Sequence, residues 1–133
     1  MRVDVDAVHA FLSEESYWAR GRPREATARA IEGSARVVGL YRGSEQIGFA
    51  RAVSDGATFA YLADVYVRDD WRGRGLGLEL VREIVDGGPQ WDVRWVLNTA
   101  DAQALYAKLG FTESPPQYPL MERSRAARGA RRG

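Results

Sequence analysis

The chain has 133 residues, 45% of them hydrophobic and 28% charged, which suits one soluble globular domain with a core of its own. It has no cysteine and a single histidine, His9, which excludes disulfides, thiolate catalysis, cysteine–zinc sites and multi-histidine metal centres. No run of about 18 apolar residues and no signal-peptide pattern is present, so neither a membrane span nor secretion is indicated and a cytoplasmic protein is expected. The net charge of +1 hides an uneven distribution. Removing the four arginines of residues 124–133 from the 19 basic groups leaves 15 against 18 acids, a net of −3 for residues 1–123. The tail at 124–133 is small, basic and without a large apolar residue, and is expected to be disordered. It is either inert or a patch for an anionic partner. The mildly acidic remainder carries no nucleic-acid-binding motif, so nucleic acid is not an expected partner.

Asp4 or Asp6 caps a first predicted helix running to about Ser13, with Val5, Val8, Phe11 and Leu12 inward and His9 at its boundary. Residues 14–21 read as a loop holding Tyr17 and Trp18. Pro23 suits the first position of a second helix ending near Gly33. The period then changes to that of strands at 35–41 and 46–53, joined by a turn at Arg42-Gly43-Ser44-Glu45. Asp55-Gly56 marks the next turn. Residues 58–67 are long for one strand and are expected to bend or bulge. A helix at 76–85 buries Leu76, Leu80, Ile84 and Val85 before Gly87-Gly88-Pro89 breaks it. Residues 91–98 read as a strand, 102–109 as a helix, and 111–113 and 118–123 as final strands around Pro115-Pro116.

Between the third strand and the helix at 76 lies Arg72-Gly73-Arg74-Gly75-Leu76-Gly77. Its glycines permit a tight turn and close backbone approach, and the first amides of the helix point into it, a setting for an anion such as a diphosphate. The alternative is an ordinary glycine-rich turn. A Walker A loop is excluded because Leu78 stands where its second glycine belongs, and a dinucleotide fingerprint fails at Leu78 and Leu80.

What remains is Arg72-x-x-Gly75-x-Gly77, which resembles the acyl-CoA-binding signature of the GNAT N-acetyltransferase superfamily. A second stretch, Leu105-Tyr106-Ala107-Lys108-Leu109-Gly110-Phe111, resembles the family's second signature. It lies on one helical face that Gly110 terminates. The two occur in the family's order with one strand between them, and the resemblance covers roughly residues 35–122.

The resemblance implies an α/β (α+β) fold with a mixed, twisted sheet of six to seven strands, helices on both faces, and a splay between strands 61–67 and 92–98 that admits pantetheine. It implies a domain at 1–123 that transfers acetyl from acetyl-CoA, without a metal, to the primary amine of a small molecule, by direct attack in a ternary complex. A protein or peptide acceptor and a non-catalytic acyl-CoA-binding module are the alternatives. Arg72, Gly73, Arg74, Gly75, Leu76 and Gly77 would hold the diphosphate. Main-chain groups of Ala63, Val65 and Val67 would pair with the pantetheine arm, with Asn98 or Thr99 standing in for the family's asparagine. Tyr106 would protonate the departing sulfur or merely pack. Asp64 would bind or deprotonate the substrate ammonium, or would pair with Arg20, Arg22 or Arg51. Tyr17, Trp18, Arg20 and Arg22 would line the acceptor pocket, with Arg20 or Arg22 meeting a substrate carboxylate. Many members are homodimers, so the resemblance allows a homodimer, and the sequence leaves the oligomeric state open. Arginine-heavy usage, with Lys108 the sole lysine, suggests a GC-rich bacterial source.

Overall fold

The computed structural model describes residues 3–114, 117 and 119–123. Helix α1 spans Val5–Glu15, started by Asp4, whose carboxylate accepts from the Ala7 N–H, and it buries Val8, Phe11 and Leu12 on one face. Helix α2 spans Arg24–Glu32, with Pro23 one place earlier than predicted, at the N-cap in an extended conformation.

Four strands follow as one sheet in the order β1-β2-β3-β4: β1 Arg36–Arg42, β2 Glu45–Ser54, β3 Phe59–Val67 and β4 Arg94–Val96. The first three are antiparallel neighbours and β4 joins β3 in parallel. Helix α3, Leu76–Asp86, packs Leu80, Val81, Ile84 and Val85 on one face of the sheet with Ala50, Ala52, Leu62 and Val67. Helix α1 covers the other face, where Phe11 stacks on Tyr66 at 4.0 Å between ring centroids. Arg36 donates from Nη1 to the Glu83 carbonyl at 2.6 Å, placing a cation at the negative end of α3.

The expected bulge lies in β3. Phe49 pairs with Tyr66 and Arg51 with Ala63, so Asp64 and Val65 together oppose Ala50. Asp64 takes φ +54, the left-handed region that aspartate tolerates better than most side chains. Simple strand alternation would put Leu62, Asp64 and Tyr66 on one face. The extra residue corrects this: Leu62 packs with α3, whereas Tyr66 packs with α1.

Helix α4 is short, Gln103–Ala107, and Gly110 turns the chain at φ +90. Among the described residues the sheet has four strands, not six to seven. Residues 111–113 form no ladder, and a gap of about 830 Å3 separates them from β4. The prolines that follow, Pro115 and Pro116, have no N–H to give to one. Residues 119–123 also lack strand pairing, while Pro115, Pro116, Tyr118 and the tail at 124–133 lie outside the described residues. Among the described residues no helix is long and apolar enough to cross a membrane.

Candidate active site

The pairing of β3 with β4 runs from Phe59–Arg94 to Tyr61–Val96 and then stops. Beyond it the strands diverge, and a cleft of about 690 Å3 opens between Leu62–Val65 and Leu97–Thr99. The splay expected of the sheet is therefore present. It exposes strand backbone to an incoming ligand without unpairing any strand that needs a partner.

Gly73 and Gly75 adopt φ +78 and +77 just before α3. A side chain there would be strained, and the chain needs this conformation to reverse from β3 into the helix. Gly75 is the N-cap of α3 with no side-chain cap, and the first helical bond runs from the Glu79 N–H to the Gly75 carbonyl. The N–H groups of Leu76, Gly77 and Leu78 thus lack helical partners and remain free for an anion. Gly77 has a packing reason as well: a β-carbon there would stand 3.3 Å from Leu105 Cδ1 of α4. The two arginines of the motif have different local roles. Arg72 donates from Nε to the Val67 carbonyl at 3.0 Å and pairs with Asp69, strapping the 3-10 turn Asp69–Trp71. Arg74 lies over the Trp71 ring at 4.5 Å, with Arg42 5.1 Å from the same ring, a residue the motif alone did not bring to this place.

Tyr106 lines the cleft from α4, half-buried, with its ring edge-on to Phe111 at 5.8 Å. Burial, together with nearby Tyr17 and the Asp101 carboxylate, raises its hydroxyl above the ordinary value of 10.0. It therefore stays protonated at neutral pH, as a proton donor must. Thr99 accepts the Ala102 N–H at 3.0 Å and shapes the turn into α4, while Asn98 donates to the Tyr61 hydroxyl at 3.3 Å. Ala63 and Val65 line the cleft; Val67 does not, being buried beside α3.

Asp64 is buried on the opposite wall and fully engaged. Oδ1 accepts from Trp18 Nε1 at 2.9 Å; Oδ2 accepts from Arg22 Nη1 and Arg51 Nε, each at 2.8 Å. Burial alone would raise its carboxyl, but the hydrogen bonds from Arg22 and Arg51 outweigh that and hold it below the ordinary range. Of the outcomes open to Asp64, the structure shows arginine pairing. A carboxylate held this way is a poor proton acceptor.

The loop between α1 and α2 is braced at several points. Ser16 donates to the Leu12 carbonyl and accepts from Ala19, and His9 Nε2 donates to the Arg22 carbonyl at 2.9 Å. Tyr17 and Trp18, 58% and 42% exposed, flank the cleft instead of plugging the core. The Tyr17 hydroxyl accepts the Ala100 N–H at 3.1 Å, tying this loop to the wall that carries Tyr106. Arg22 faces the cleft; Arg20 is exposed and does not line it. Arg51, Tyr61, Asp101 and Glu122 line it without having been assigned to it from sequence. Among the described residues no group of three or more metal-ligating side chains occurs.

Comparison with known proteins agrees with this geometry. The Acetyltransferase (GNAT) domain family matches residues 33–113. A crystal structure of a protein belonging to the GNAT family from Xanthomonas campestris pv. campestris is 39% identical, covering 94% of this chain and 88% of that one, at a TM-score of 0.84. The Gibberella zeae protein FG08082 is 33% identical over 128 residues, 80% of this chain and 71% of that one. The histone acetyltransferase TAP1 of Glycine max is 35% identical over 126 residues, 85% of this chain but only 54% of its own length. The fold, the splay and these similarities define an acetyltransferase of the GNAT class. The chain belongs to the GNAT acetyltransferase domain family.

Proposed function

We propose that the protein transfers the acetyl group of acetyl-CoA to the primary amine of a small molecule by direct attack in a ternary complex. The observation that carries this reading is the cleft that sets the open edge of β3 beside the protonated Tyr106, together with the free helix amides at Leu76–Leu78 that start α3. The residues present fit acetyl-CoA as co-substrate. The amides at the start of α3 suit its diphosphate, and the backbone at Ala63 and Val65 suits the amides of its pantetheine arm. The acceptor must reach the site as a neutral amine. Its nitrogen bonds to the acetyl carbonyl carbon and the carbon–sulfur bond breaks. The nitrogen releases a proton to solvent, and the sulfur leaves as a thiol, taking its proton from Tyr106, which regains one from solvent. Asp64 supports the wall and does not serve as base.

The name of the soybean relative favours a second reading, a protein acceptor. The hydrogen bond from Ala100 to Tyr17, both of which line the cleft, argues for a small one.

The test is thiol release from acetyl-CoA against a panel of amines, amino acids, polyamines and lysine-containing peptides. Turnover on a small amine, reduced in a Tyr106→Phe variant, is the expected result. Turnover on peptides alone would establish the second reading. Acetyl-CoA binding without turnover on any acceptor would point to a non-catalytic module.

A further inference from the structure

The cleft is electrically two-sided. On one wall Arg22 and Arg51 share the single carboxylate of Asp64, which leaves that group with a net charge of +1. The side chain of Arg51 is 15% exposed and spends only Nε on Asp64. Its two terminal nitrogens have no hydrogen-bond partner among the described residues, yet neither is sealed from solvent. A guanidinium this confined, opening on a cleft, is a site for a planar anion, because paired N–H groups match the two oxygens of a carboxylate. On the other wall Asp101 stands next to α4 near Tyr106, and Glu122 adds a second acid to the lining. The negative side of the cleft is therefore the side where the amine must react.

We infer that the acceptor is an amino-acid-like molecule, whose carboxylate is held by Arg51 with Arg22 while its amine lies toward Asp101 and Tyr106. This rests on the acetyl-transfer reading and narrows it. Asp64 then has a clear purpose: it fixes both guanidiniums in place without cancelling both charges. A purely structural role for Arg51, bracing Asp64 at the bulge, makes a different prediction, since its loss would affect every acceptor alike.

The experiment compares amino acids with their own amides, which keep size and amine but lose the negative charge, in thiol release from acetyl-CoA. The expected kcat/KM favours the acid at least about tenfold, as charge-assisted hydrogen bonds of this kind allow. In Arg51→Gln the acid-to-amide ratio falls toward one, and in Arg51→Lys it falls part of the way. The ratio is internal to each variant, so loss of folded protein does not move it. Equal use of acid and amide by the wild type, or an unchanged ratio in Arg51→Gln, overturns the inference while leaving acetyl transfer standing. If no acceptor turns over, acetyl transfer falls, and the same pairs are titrated calorimetrically into the CoA-bound protein. Tighter binding of the acid then supports the inference and equal binding overturns it.

Discussion

Arg51 Nε lies 2.8 Å from Asp64 Oδ2, at the point where β2 and β3 fall out of register. The bulge turns Asp64 toward the loop after α1 and lets one buried carboxylate collect Trp18, Arg22 and Arg51. Breaking such a group by removing its charge leaves two confined guanidiniums without their counter-ion. Asp64→Asn is expected to lower stability by about 3 kcal/mol, since asparagine keeps the backbone conformation but not the charge. Asp64→Ala should cost about 1 kcal/mol more for the left-handed backbone. Chemical denaturation of the three proteins measures both differences.

The same pairing sets an acid limit. The folded-state carboxyl is depressed below its ordinary value of 3.8, so its stabilisation is complete above that value and is lost as pH falls further. Wild type should lose stability more steeply than Asp64→Asn below pH 3.8, measured as unfolding midpoint against pH. Equal slopes would mean that the carboxylate is not held by the arginines.

Tyr106 carries the proton in the proposed chemistry. Tyr106→Phe should lower kcat about 100-fold, with a smaller effect on acetyl-CoA affinity. Because the hydroxyl is raised above 10.0, its loss of a proton should lower the wild-type kcat only in strong alkali, after the rise that follows deprotonation of the acceptor amine, and the variant should lack that decline. An unaltered kcat would make Tyr106 a packing residue.

Gly77 links the anion-binding turn to the helix that carries Tyr106. Alanine there presses only the flexible tip of Leu105, and the helix gains propensity, so Gly77→Ala should be close to neutral. Gly77→Val drives α4 outward and should cost about 1–3 kcal/mol with a matching loss of kcat. Thermal unfolding and kinetics on the pair check this.

Much of this site was legible in the chain. The motif from Arg72 to Gly77 and the run around Tyr106 are local, so their spacing alone placed them on a turn and a helix. The existence of a bulge in β3 followed from its length, but its position did not, because it depends on pairing with β2. That one residue decides which wall Asp64 faces. Arg51, Asp101 and Glu122 lie far apart in sequence and meet only through tertiary packing, so no spacing rule could gather them into one cleft. Residues 111–113 look like a strand by residue type, yet a strand exists only with a partner, and β4 offers just three paired residues on its other edge.

Calorimetric titration of acetyl-CoA tests most directly whether the divergence of β3 from β4 is a cofactor site. Wild type should bind with micromolar affinity. Gly75→Val, folded but with a side chain forced into the left-handed turn at φ +77, should bind at least about tenfold more weakly. Absence of binding by the wild type would contradict the assignment of this cleft, and equal binding by a folded Gly75→Val would contradict that of the turn before α3.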